Sequence, residues 1–195
     1  GKLYGMVANG GVSDGGALFE YDLSSNTLTF LHFFNEATGM NPYGSLLELD
    51  GKLYGSNSYG GSGGVGVLFE FDPADNSYTV LHDFQYGSGS FAYGTPIALG
   101  GKLYGTTFGG GVSDIGVIYE YDLSSDTYTV LHNFETATGS SPFGGNLIVS
   151  GGKFYGMTRF GGDYGSGVIY EYDPAGSGTY TVLSHFDFVN GAEPY

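Results

Sequence analysis

Ionisable residues return at a fixed period along this 195-residue chain. Glu20, Glu70, Glu120 and Glu171 recur once per unit, as do Lys2, Lys52, Lys102 and Lys153. A carboxylate beside an amine can move protons, but a catalytic site needs different groups in different roles converging on one point. A group repeated identically in every unit is expected to serve the unit instead, here as a Lys–Glu pair across neighbouring strands. His32, His82 and His132 close the same strand in successive units. An imidazole can ligate a metal, yet neighbouring copies would lie too far apart to share one, so structural hydrogen bonding to the next unit is expected. Asp22, Asp72, Asp122 and Asp173 each stand before a turn, twice followed by Pro, which is type I turn chemistry.

Three further carboxylates sit in glycine-rich segments: Asp14 after Gly10-Gly11, Asp114 after Gly110-Gly111, and Asp163 after Gly161-Gly162. Such turns offer a carboxylate and free carbonyls, the oxygen donors Ca²⁺ prefers, so these are the candidate metal residues; no other cofactor is expected. Their spacing matches neither an EF-hand nor the nonapeptide calcium repeat. A nucleophile elbow, phosphate loop, zinc motif and dinucleotide fingerprint are all missing, so no catalytic residue is assigned and no enzyme is expected. Tyr59, Phe108, Phe160 and Tyr164, with Arg159, fall in one class of long loop, and Tyr86 and Phe91 in another. Exposed rings near Asn, Asp and Gln suit a sugar, so these seven are the candidate ligand-binding residues. Tyr43, Tyr93, Phe143 and Tyr195 recur at one position per unit and are expected in the core.

The elements that must hold these groups follow from the repeat. Gly1-Lys2-Leu3-Tyr4-Gly5 returns at residues 51–55, 101–105 and 152–156. A double glycine follows each time, then Leu18-Phe19-Glu20-Tyr21-Asp22 and its equivalents at 68–72, 118–122 and 169–173. Each unit continues through a turn into Thr29-Phe30-Leu31-His32, Thr79-Val80-Leu81-His82, Thr129-Val130-Leu131-His132 or Thr181-Val182-Leu183. The units are residues 1–50, 51–100, 101–151 and 152–195, one domain of four repeats. Four strands are expected in each: A at Asn146 to Val149, B at Lys153 to Met157, C at Val117 to Tyr121 and D at Tyr128 to Phe134, taking each from its clearest copy. Tandem four-stranded meanders are blades, and blades arrange radially, so the fold class is an all-β β-propeller of four blades. In such blades the short A–B and C–D turns lie on one face, and the long B–C and D–A loops on the other. The long-loop face is the expected binding surface.

In combination, the Gly-Lys-Leu-Tyr-Gly start, the double Gly, the Phe/Tyr-Glu-Tyr-Asp block, Thr-Val-Leu-His-x-Phe and Gly-x-x-Pro-Tyr resemble the Gloeobacter/Verrucomicrobia-type tandem repeat (GloVer), a family of bacterial repeat proteins. More loosely they are similar to Kelch propeller blades. The resemblance covers essentially the whole chain and implies a propeller-like fold on secreted or surface-anchored proteins. It transfers no activity and no catalytic residue. The fourth copy departs from the pattern, with Ser184-His185-Phe186 displacing the histidine by one position.

Composition agrees with this organisation. Thirty-eight Gly, 18 Tyr and 15 Phe fit short aromatic strands joined by many tight turns. A net charge of −15 with five basic residues argues against nucleic acid and anionic membranes as partners, and favours neutral ligands such as glycans. The lack of Cys excludes disulfides and thiolate chemistry. No apolar run is long enough to span a bilayer, and an extracellular or cell-surface location is expected. The four units contain only three complete A–B–C–D sets, because strand A of the first is missing. The chain could therefore be an excerpt of a longer array, could close imperfectly, or could take that strand from another copy. The expected function is a non-enzymatic structural or adhesive module able to self-associate into oligomers or fibres through the open strand A position. A lectin-like carbohydrate-binding propeller is the alternative.

Overall fold

A computed structural model describes residues 1–144, 146–175, 178–189 and 191–194. Along strand B of each unit, Leu (Phe154 in the fourth) and Tyr alternate to opposite sides, and both sides are apolar. A strand with that pattern must be covered on both faces. Stacking sheet against sheet does this. Blade 1 holds β1 (Lys2–Val7), β2 (Ala17–Asp22) and β3 (Thr27–Phe33). Blade 2 holds β4 (Leu47–Leu49), β5 (Lys52–Asn57), β6 (Val67–Asp72) and β7 (Ser77–Asp83). Blade 3 holds β8 (Ile97–Leu99), β9 (Lys102–Thr107), β10 (Val117–Asp122) and β11 (Thr127–Asn133). Blade 4 holds β12 (Ile148–Ser150), β13 (Lys153–Thr158), β14 (Val168–Asp173) and β15 (Thr179–His185).

Every sheet is an antiparallel meander in sequence order, and that of blade 1 has three strands. The architecture is an all-β propeller of four blades, the first with three strands among the described residues. Strand limits differ from expectation only at their ends: A starts at Ile148 and runs to Ser150, while D ends at Asn133, one residue before Phe134. A β-bulge shifts the register of each C–D pair at one equivalent point, such as Ile118/Tyr119 and Ile169/Tyr170.

The core lies between blades and is built three times over. Leu53, Phe69 and Phe71 of blade 2 pack on Leu18 and Phe34 of blade 1. Leu103, Tyr119 and Tyr121 of blade 3 pack on Tyr54, Leu68 and Phe84. Phe154, Tyr170 and Tyr172 of blade 4 pack on Tyr104, Ile118 and Phe134. Burying each such side chain stabilises by roughly 1.5–3 kcal/mol. The glycine that ends the Lys-Leu-Tyr-Gly motif has a packing reason. Gly105 pairs with Tyr119 across β9 and β10, and the Tyr119 ring fills the space a Cβ at Gly105 would need. Phe69 and Tyr170 cover Gly55 and Gly156 in the same way.

Polar contacts repeat at each joint. His32 stacks on Tyr78, His82 on Tyr128 and His132 on Tyr180, with ring centroids 4.0, 3.8 and 4.1 Å apart. The link from this histidine to the next blade is ring stacking and not the expected hydrogen bond: Nε2 of His82 and of His132 has no hydrogen-bond partner among the described residues, and that of His32 lies 3.4 Å from Thr38 Oγ1 in its own D–A loop. Met40 and Tyr59 exchange two backbone hydrogen bonds (2.8 and 3.1 Å), as do Ser90 with Gly109 and Ser140 with Phe160. These bonds fasten the D–A loop of one blade to the B–C loop of the next.

Candidate functional site

The recurring charged groups satisfy one another within the blades. Lys52 Nζ lies 2.6 Å from Glu70 Oε1, and the Tyr54 hydroxyl donates to Glu70 Oε2 at 2.8 Å. Lys2–Glu20, Lys102–Glu120 and Lys153–Glu171 repeat the pair at 2.9, 2.7 and 2.6 Å. The lysine hydrogen bond holds the Glu20 and Glu171 carboxyls below the usual glutamate value. The turn aspartates act locally: Asp22, Asp72, Asp122 and Asp173 each accept the backbone N–H two residues on, at 2.7 to 2.9 Å.

The three candidate metal carboxylates sit on different blades. Asp14 accepts Gly10 N–H at 2.7 Å and Asp114 accepts Gly110 N–H at 2.9 Å, each closing its own loop. Asp163 donates its backbone N–H to His185 Nδ1 at 3.0 Å. Among the described residues no group of three or more His, Asp or Glu gathers around one point. The displaced histidine now has an explanation. Asp83 and Asn133 occupy its place in blades 2 and 3 and accept Ser62 and Val112 N–H. His185 therefore fastens the glycine-rich loop of blade 4.

The candidate ligand-binding aromatics lie in the long loops, and all but Tyr164 join in ring contacts there. Phe91 lies 5.4 Å from Tyr59 and 6.0 Å from Tyr86. Arg159 sits over Phe160 and Phe143, 4.9 and 5.4 Å from their centroids, and pairs with Glu193 at 3.1 Å. Phe108 meets Tyr93 and Phe143 edge-on at 5.8 and 5.7 Å. Tyr164 is exposed in the long B–C loop of blade 4.

Tyr43, Tyr93 and Phe143 correct the sequence reading. They belong to this face and not to the core: Tyr43 is 56% exposed, Tyr93 and Phe143 are half-buried, and the three rings run in series at 5.4 and 4.7 Å. Burial, then a hydrogen bond with Tyr59, raises the Tyr93 pKa above the usual tyrosine value. Tyr195 lies outside the described residues. The missed signal was position: these rings stand in the D–A loops, outside the strand alternation that marks core residues. Identical recurrence placed them around the axis, which reads the same as core in one dimension.

Two features single out blade 2. Phe91 has φ +59°, where Asn41, Ser141 and Glu193 stand in the other units with similar angles. A bulky side chain in the left-handed region costs of order 1–3 kcal/mol. An open cleft of about 480 Å³ lies alongside, lined by Glu36, Met40, Tyr59 and the glycine-rich run 60–64.

The structure is similar to solved propeller proteins. TolB from Acinetobacter baumannii matches with TM-score 0.58 at 18% identity, over 88% of this chain and 38% of that one. A chain of the nidogen/laminin complex matches with TM-score 0.60 at 14% identity, over 94% of this chain and 62% of that one. The extracellular domain of the hybrid two component system BT4673 from B. thetaiotaomicron matches with TM-score 0.59 at 13% identity, over 89% of this chain and 20% of that one. The chain thus spans less than two thirds of each, and likenesses at these identities concern the fold. No curated protein matches the sequence. No helix among the described residues is long and apolar enough to cross a membrane. The Gloeobacter/Verrucomicrobia repeat model matches residues 1–195, and the chain belongs to that repeat family.

Proposed function

We propose that this chain is a non-enzymatic, extracellular structural or adhesive module that makes its contacts through the long-loop face. One observation carries the reading: loops of all four blades supply a continuous series of side chains on that face, from Tyr43 through Tyr93 to Phe143, and through Arg159 to Phe160. Rings left part-exposed on a rigid scaffold suit contact with another surface. The strained Phe91 between Tyr59 and Tyr86 supports it, because backbone strain persists where function or packing demands it. The lysine–glutamate pairs, occupied within their own blades, fit a scaffold better than a reaction centre. The extracellular domain among the similar structures fits a location outside the cell.

Carbohydrate is the second reading of the target. The open cleft joins the Tyr59 ring to Glu36 and the glycine-rich run 60–64, and a net charge of −15 favours a neutral polymer over an anionic one. Retention of chain-coated beads under flow on polysaccharide and protein surfaces tests both. Retention is expected on at least one, falling about tenfold in a Tyr43→Ala/Tyr59→Ala double variant if two ring contacts are lost. Equal retention of the variant, or none by the parent, contradicts the proposal.

A further inference from the structure

The open cleft between the D–A loop of blade 1 and the B–C loop of blade 2 lies where a side chain of the sister loops is missing. In blades 1 and 3 an aspartate caps the first loop glycine: Asp14 Oδ1 accepts Gly10 N–H at 2.7 Å, and Asp114 Oδ1 accepts Gly110 N–H at 2.9 Å. Blade 2 has Gly64 at that position, with φ +72° against +53° and +58° for the two aspartates. A Cβ at Gly64 would meet no atom within 4 Å. Among the described residues no carboxylate therefore caps Gly60 N–H, the equivalent donor, and both glycines line the cleft.

The opposite wall is also specific to this junction. Glu36 stands where blades 2 and 3 have Tyr86 and Thr136; the backbone carbonyl of each accepts the N–H of the second loop glycine, Gly61, Gly111 or Gly162. The Glu36 side chain is exposed, and Met40, Ser62 and Tyr59, itself 40% exposed, complete the lining. Ser62 N–H donates to Asp83 Oδ1 at 2.6 Å and Gly61 N–H to Glu36 O at 2.6 Å, so the glycine-rich wall is pinned at both sides. A volume of about 480 Å³ falls in the range of small-molecule sites, roughly 300–1,000 Å³.

We propose that this cleft binds the acetamido group of a neutral N-acetylhexosamine residue. The acyl oxygen takes the place of the missing aspartate oxygen and accepts Gly60 N–H. The amide N–H donates to the Glu36 carboxylate, a charge-assisted bond. The methyl group lies against Met40, and the C–H face of the pyranose covers the Tyr59 ring. A ligand carboxylate would satisfy Gly60 equally well, but Glu36 and a net charge of −15 repel it. A peptide also carries amides, yet it is ordinarily read along a strand edge, and these loops offer one donor and one acceptor beside one ring. Gly165 replaces the aspartate in blade 4 too, but Thr136 holds the Glu36 position there and supplies no charged acceptor.

The inference rests on the carbohydrate reading of the cleft and narrows it. NMR titration over roughly 0.1–20 mM tests it with the methyl glycosides of N-acetylglucosamine, N-acetylgalactosamine, glucose and galactose, and with N-acetyl-alanine methylamide. At least one acetamido glycoside is expected to bind about tenfold tighter than its plain counterpart and than the peptide amide. Gly64→Asp installs the side chain of the sister loops at a φ that aspartate adopts there, and is expected to weaken binding at least about tenfold, as is Glu36→Ala. Gly165→Asp is expected to leave it unchanged. Circular dichroism confirms that the variants are folded, and the exposed Glu36→Ala carries the test if Gly64→Asp is not. Equal binding of the plain glycosides, or tighter binding of the peptide amide, overturns the acetamido assignment alone. Binding of no sugar overturns the carbohydrate reading with it. Full binding by folded Gly64→Asp and Glu36→Ala, or a loss in Gly165→Asp instead, overturns the placement in this cleft.

Discussion

Asn57 is fully buried, and neither its amide nitrogen nor its amide oxygen finds a hydrogen-bond partner among the described residues. The equivalent Thr107 donates to Gly109 O at 2.9 Å and accepts Val117 N–H at 3.2 Å, and Thr158 does the same with Phe160 and Val168. Asn57→Thr restores that arrangement with the side chain its sister blades use. It is expected to stabilise the fold by about 1–3 kcal/mol, read as a higher urea midpoint. Phe91→Asn relieves the left-handed strain by installing the residue found at position 41, where φ is +55°. It is expected to raise stability by about 1–3 kcal/mol while reducing surface retention. A stability gain with unchanged retention would separate Phe91 from the contact surface. The histidines set a pH dependence. Burial holds His32, His82 and His132 below their ordinary value, so the folded state favours the neutral imidazole. Their contribution is complete above the unfolded pKa of about 6.5 and declines as pH falls through it. Urea titrations are expected to show stability falling between about pH 7 and 5, before the carboxylates titrate. A flat profile there would contradict the buried stacks.

At the scale of the strand, the repeated motif has a division of labour. In Lys-Leu-Tyr-Gly the lysine ties to strand C, the Leu and Tyr cover opposite blade faces, and the glycine admits a ring from the paired strand. Gly105→Ala places a methyl group against Tyr119 and is expected to cost about 1–3 kcal/mol, seen as a lower melting temperature. A melting temperature unchanged from the parent would show that the ring can move aside. Strand order, the short and long loops and the Lys–Glu pairs were legible in the sequence because each follows from a period-two pattern repeated four times. The bulge in each C–D pair was not legible, since one extra residue in a strand leaves no mark on the apolar alternation. Nor was the placement of Tyr43, Tyr93 and Phe143, because a residue near the axis recurs as regularly as one in the core. The role of His185 was hidden for a related reason: its partner, the Asp163 N–H, is brought near only by the fold.

For the whole molecule, the propeller separates stability from contact. Apolar packing sits between blades, charge pairs bind strand to strand within them, and the long loops carry rings that the fold leaves part-exposed. Oxidative footprinting of the chain bound to the surface that retains it best tests this division most directly. Tyr43, Tyr59 and Tyr86, all exposed on the long-loop face, are expected to lose reactivity on binding, while Leu23 in the short C–D turn stays reactive. Protection of Leu23 with those three tyrosines still fully reactive would contradict it.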